Sequence, residues 1–185
     1  MNSFFNTAVR RVRSSTAATQ RSPLGFLILA SAVAAFTGFS SASAQSPAKG
    51  SPEHIKAVTS AVDQNSIKAN AATSNDWPAI GLDHGETRFS KLNQINTDNV
   101  KNLGLVWSYN LESSRGVEAT PIVVDGIMYV TASWSVVHAI DVRTGKKIWT
   151  FDPEVPRNIG YKGCCDVVNR GVALHKGKIY VGAYD

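Results

Sequence analysis

Acidic side chains are absent from the first 44 residues of this chain, and cysteine occurs only twice among its 185. No uninterrupted apolar run is long enough for a comfortable membrane span: the stretch from Leu24 to Phe39 is broken by Ser31, Thr37 and Gly38. The formal charge of +5 is misleading, because Arg10, Arg11, Arg13 and Arg21 all lie in the acid-free leader. Without them, 15 of the 19 basic residues remain against 14 acidic ones, a net charge of +1. Nothing in that balance suggests a partner such as nucleic acid or a membrane surface. What the first 44 residues do contain is a basic, Ser/Thr-rich leader, the apolar run, and Ala42-Ser43-Ala44 before Gln45. This order reads as a secretory signal peptide over residues 1–44, with a retained anchor as the alternative. The surroundings of Arg10-Arg11 fit twin-arginine export poorly, so Sec export is expected. The mature chain is then expected to work outside the cytoplasm, where disulfides persist.

The two cysteines, Cys164 and Cys165, are neighbours. Across one trans peptide the Cα atoms sit about 3.8 Å apart, below the usual disulfide range of about 4.4–6.8 Å. A bridge between them encloses no loop, so loop entropy does not explain it. Strained, accessible bridges are usually labile or functional. Two reduced, buried thiols, or half of a metal site, remain as alternatives. Export favours the oxidised pair.

Residues 45–76 are rich in Ala, Ser and Asn, and read as an N-terminal arm. Ser51-Pro52-Glu53 predicts a short helix to about Val62, with proline at its first position; a mobile arm is the alternative. From Trp77 the texture changes. Pro78, Gly81 and Gly85 punctuate a loop, and Asn96 to Val100 predicts a turn into a short segment ending at Leu103. Strands are expected at Leu105–Tyr109, Thr120–Val124, Ile127–Ala132, Val136–Asp141 and Lys147–Phe151. Asp125-Gly126 marks a hairpin between two of them. The pattern Ile122 to Val130 recurs about 50 residues later as Ala173 to Val181, and Val106-Trp107-Ser108-Tyr109 recurs about 40 residues later as Ile148-Trp149-Thr150-Phe151. Short strands repeating at this period predict an all-β chain built of propeller blades. The sequence supplies fewer than two such blades and would leave unpaired edges, so it is expected to be the N-terminal piece of a longer protein.

Three segments are distinctive: Gly116-Val117-Glu118-Ala119-Thr120-Pro121, Ala139-Ile140-Asp141-Val142-Arg143-Thr144-Gly145, and Cys164-Cys165-Asp166 with Asn169-Arg170-Gly171. With them, the stretch from Trp77 to Asp185 resembles the quinoprotein alcohol dehydrogenases, periplasmic enzymes that use pyrroloquinoline quinone (PQQ). The middle segment, running into Lys147-Ile148-Trp149, looks like the tryptophan-docking motif that ties one blade to the next. The resemblance implies an eight-bladed propeller, with residues 77–185 forming its first blades. It implies a Cys164–Cys165 disulfide lying against one face of PQQ, a tryptophan on the other, and Glu118 and Arg170 at the cofactor's polar edge.

The chemistry of these residues agrees. A guanidinium grips the carboxylate oxygens of a planar tricarboxylate in pairs, and sulfur packs well against a π face. Glu118 is less obvious there and has a solvated strand edge as its plain alternative; for Arg170 the alternative is a surface ion pair.

The resemblance further implies oxidation of a small alcohol to an aldehyde, with an aspartate base and with Ca²⁺ or a lanthanide as Lewis acid. The base, the metal ligands and the stacking tryptophan are expected beyond Asp185, so no catalytic or metal-binding residue is assigned within this chain. Electrons would leave to a cytochrome c or to a haem c domain further on, and a homo-oligomer stays open. The contrasting reading is a non-catalytic propeller that scaffolds envelope proteins, which has no use for the cysteine pair with Arg170. A membrane-bound sugar dehydrogenase is disfavoured, since those enzymes generally lack the pair and have several apolar segments.

Other candidates read as structural. His138 and His175 fall in strands, and His84 and Glu86 lie in a loop with no second metal-ligand cluster nearby. Trp107, Trp134 and Trp149 read as blade packing. Tyr161 and Lys162 precede the cysteines, and a place at a cavity mouth is left open for them by the sequence.

Overall fold

The computed structural model describes residues 46–185; the expected signal peptide lies outside the described residues. The first element among the described residues is helix α1, Pro52–Ser60. Ser51 caps it by accepting the His54 N–H at 3.2 Å, with proline and Glu53 in the first turn. A second helix, α2 (Gln64–Asn70), was not anticipated from the sequence. It starts with a reciprocal cap, in which Asp63 accepts the Ser66 N–H at 2.8 Å and Ser66 accepts the Asp63 N–H at 2.9 Å. Its polar sequence QNSIKAN carries no apolar stripe to announce it.

Four short strands follow as one antiparallel meander: β1 (Ile122–Val124), β2 (Ile127–Thr131), β3 (Val137–Asp141) and β4 (Lys146–Phe151). This is a single propeller blade. β5 (Ala173–His175) and β6 (Lys178–Tyr180) form a separate two-stranded sheet, the start of the next blade. The repeat read from the sequence is matched in the backbone. Asp125 and Gly126 turn β1 into β2 with φ of 44° and 77°, and Lys176 and Gly177 turn β5 into β6 with 43° and 81°. Both central residues are left-handed in each case, the turn whose twist suits a two-residue hairpin.

Alternation along the strands sends Ile122 and Val124, Ile127 and Tyr129, and Val137 and Ala139 to one core. Val172, just before β5, and Leu174 within it join this core, as do Val58 and Val62 from the helical segment. Burying each valine, leucine or isoleucine among them contributes about 1.5–3 kcal/mol. Helix α1 also ties the two sheets together through their turns. His54 lies 2.9 Å from Asp125, while Gly177 and Lys176 donate to the Thr59 and Val62 carbonyls, each at 2.9 Å. Gly50 donates its N–H to His54 Nδ1 at 3.1 Å, so the ring proton sits on Nε2 and faces the Asp125 carboxylate.

One expected strand does not form. Residues 105–109 keep the alternation of a strand, with Trp107 and Tyr109 half-buried and Ser108 exposed, but they make no ladder. Among the described residues no neighbouring strand offers them backbone partners, and Leu105 and Val106 are 87% and 86% exposed. The segment instead lies over the blade through its side chains. The Trp107 indole donates to the Val142 carbonyl at 2.8 Å, and the Tyr109 hydroxyl lies 3.0 Å from His138 Nδ1.

Candidate functional site

Trp107 rests on the segment that resembles a docking motif. Gly145 is left-handed (φ 69°), and a Cβ there would lie 2.6 Å from the indole Cδ2, so the ring needs glycine beneath it. Trp149 packs against Tyr129, with ring centroids 6.1 Å apart. Both tryptophans therefore serve packing, as the sequence predicted. Burial alone pushes the Tyr129 hydroxyl up to about 12.

The cysteines lie on the connection between β4 and β5, after a short 3₁₀ stretch, Arg157–Lys162. Cys164 and Cys165 are bonded to each other, with Cα atoms 3.8 Å apart. Both are exposed, as are Tyr161 and Lys162 before them. Further along the same loop, Arg170 pairs with Glu118 at 2.9 Å; the two side chains are 72% and 49% exposed. They meet because Thr120, two residues after Glu118, donates its N–H to the Arg170 carbonyl at 3.1 Å. Gly171 permits that approach: its φ is 129°, and a Cβ there would lie 2.9 Å from the Thr120 oxygen. Asn169 fastens the loop on its other side, donating to Ser135 Oγ at 3.0 Å and to the Gly182 carbonyl at 2.9 Å.

One loop thus presents a disulfide and a guanidinium whose five N–H groups are only partly engaged by Glu118. Taken singly, a disulfide offers a polarizable surface for a ring face and a guanidinium a cationic fork for carboxylates, chemistry suited to a planar polyanion such as PQQ. Glu118 is the partner of Arg170, and this exposed pair is also what the surface ion pair named as the alternative for Arg170 describes.

Sequence reasoning gave no role to Asp166 and did not single out Arg115. Asp166 Oδ1 accepts from Arg115 Nε at 2.6 Å and from the Val167 N–H at 2.8 Å. The Arg115 guanidinium, and next the Val167 N–H, hold the Asp166 carboxyl below its usual range. Beside this pair, Ser113, Arg115, Trp134, His138, Asp152 and Arg157 border a cleft of about 350 Å³. His138 is buried, and its Nε2 has no hydrogen-bond partner among the described residues. Burial lowers its pKa. His175 is exposed at the end of β5, while His84 approaches the Gln64 carbonyl at 3.3 Å. Glu86 is exposed in the same loop. Among the described residues no group of three or more His, Cys, Asp or Glu is placed to hold a metal ion.

The chain is 64% identical over 153 residues to a quinohemoprotein alcohol dehydrogenase of Comamonas testosteroni, covering 83% of this chain and 21% of that protein. The crystal structure of that enzyme matches 72% of this chain and 20% of its own with a TM-score of 0.71 at 68% identity. A 1-butanol dehydrogenase (cytochrome c) of Thauera butanivorans is 68% identical over 114 residues, 62% of this chain and 16% of that protein. A europium-containing methanol dehydrogenase matches 64% of this chain and 21% of its own, with a TM-score of 0.59 and 34% identity. The chain therefore spans about a fifth of the length of the curated relatives it matches. Residues 77–182, more than half of the chain, match the family described as "Glucose/ethanol/alcohol dehydrogenase, beta-propeller domain", associated with PQQ. With a four-stranded blade, the start of a second and this identity to its members, the chain belongs to the PQQ-dependent dehydrogenase β-propeller family.

Proposed function

We propose that these residues supply one wall of the cofactor site in a quinoprotein that oxidises alcohols to aldehydes. The observation that carries the reading is the bonded Cys164–Cys165 pair on the same loop as Arg170, whose guanidinium is held toward Glu118. In this reading the disulfide gives PQQ a flat, polarizable seat, and Arg170 draws in its carboxylates. Glu118 orients Arg170 by occupying part of its donor fork and tempers the local positive charge. When bound, PQQ supplies an ortho-quinone that takes two electrons and two protons from the alcohol, leaving the aldehyde.

The full-length protein is read as an eight-bladed propeller, with the base, the cation ligands and the second stacking ring contributed by other blades. A cation, Ca²⁺ or a lanthanide, acts there as Lewis acid; the europium of the methanol dehydrogenase neighbour supports this assignment. The names of the Comamonas and Thauera relatives support haem c or a cytochrome c as electron acceptor. The leader at 1–44 supports export and a periplasmic site of action. The test is alcohol-dependent reduction of ferric cytochrome c by the purified full-length protein. With PQQ and either Ca²⁺ or La³⁺, 1-butanol is expected to drive reduction, and omission of PQQ to abolish it. No alcohol-dependent reduction under any of these conditions would favour the scaffold reading.

A further inference from the structure

We propose that Arg115 is a positioning residue for the Cys164–Cys165 bridge, acting through Asp166; its importance for the reaction rests on the cofactor reading above. Asp166 directly follows Cys165 and is left-handed, with φ of 72°. A residue with a Cβ rarely adopts that conformation unless its surroundings impose it. Here they do. Arg115 engages Asp166 Oδ1 through both Nε and Nη2, and the same oxygen accepts the Val167 N–H. The carboxylate therefore fixes the backbone immediately after the bridge to the segment that leads into Glu118.

Arg115 is itself held in place. Its guanidinium carbon lies 5.8 Å from the Trp134 ring centroid, and that of Arg157 lies 5.0 Å from it. Trp134 and Ser135 form the tight connection between β2 and β3, with φ of 64° and 62°. Two consecutive left-handed residues with side chains are costly, and the contacts this turn makes show what the conformation achieves. Trp134 donates its N–H to the Val167 carbonyl at 2.9 Å, and Ser135 Oγ receives the Asn169 amide at 3.0 Å. The Tyr184 ring meets Trp134 edge-on at 6.1 Å, and its hydroxyl donates to the Gly160 carbonyl at 3.0 Å. The turn thus grips the bridge-bearing loop before and after the cysteines, and Arg115 completes the grip at the residue beside them.

Arg115 and Asp166 are 47% and 33% exposed, so as an ion pair they add little to global stability. Their effect is on where the bridge sits, and local opening of the loop reads it directly. The experiment measures the rate at which dithiothreitol reduces the bridge in the full-length, PQQ-free protein. Arg115→Ala and Asp166→Asn are each expected to raise that rate about fivefold with little change in Tm. The double variant should react no faster than either single one, because both remove the same pair. PQQ affinity should fall in parallel. If the Ala variant fails to fold, the isosteric Asp166→Asn carries the test. Single-variant rates within about 1.5-fold of the parent, or a double variant whose effect is the product of the two, would overturn the proposal. Failure of the unaltered protein to bind PQQ would refute the cofactor reading instead, while the exchange rates still decide whether Arg115 holds the bridge.

Discussion

At the scale of single residues, Arg170 and His138 show how the same fold treats two basic side chains differently. Arg170 is left exposed, with Glu118 as a partner that engages only part of its donor fork. His138 is buried between the blade and the 105–109 segment, with Tyr109 at 3.0 Å and Thr150 at 3.4 Å from its Nδ1. Burial disfavours its cation, so its folded pKa lies below the ordinary 6.5. Below about pH 6.5 the unfolded chain therefore binds a proton that the folded chain refuses, and stability falls as pH drops through that window. In urea unfolding of the full-length protein, the stability advantage of the parent over His138→Gln should shrink between about pH 7 and pH 5. An advantage that stays constant over that range would contradict the assignment. The cysteines, Glu118 and Arg170 were legible as residues because they sit in short contiguous motifs. Arg115 was not, since its partner Asp166 lies 51 positions away and nothing local marks the pairing.

At the scale of elements, legibility followed locality. The first hairpin was visible because Asp125-Gly126 encodes its own left-handed turn, and the second as a repeat of the first, with Lys176-Gly177 turning the same way. Helix α1 was visible through Ser51 and Pro52, whereas α2 has a cap but no apolar stripe. Residues 105–109 carry a strand's alternation, yet a strand needs a ladder, and the partner is not a property of the segment itself. The left-handed turn at Trp134 also had no sequence mark, because tryptophan is not a residue that favours it. The tryptophan contact at Gly145 gives a prediction at this scale. Gly145→Ala places a Cβ 2.6 Å from Trp107 on a left-handed backbone, and should cost about 2–4 kcal/mol in urea unfolding. Trp107→Phe keeps an aromatic ring but loses the N–H to Val142, and should cost about 1 kcal/mol from that bond. Unchanged stability in Gly145→Ala would mean that the indole does not rest there.

At the scale of the whole molecule, one blade and the opening hairpin of the next share a core, with α1 and the residues just after it fastened to a turn of each. The loop between the blades carries the bridge and Arg170, so the fold places the candidate site where two repeats meet. The central claim is that this loop seats PQQ. It is tested most directly by titrating PQQ into the full-length, cofactor-free protein and into its Cys164→Ala/Cys165→Ala variant, following the quinone absorbance. The expected result is saturable binding by the parent, and a loss of at least about tenfold in affinity, roughly 1.4 kcal/mol, in a variant that remains folded. Equal affinity in the two proteins would contradict the role given to the bridge, and no saturable binding in the parent would contradict the quinoprotein reading itself.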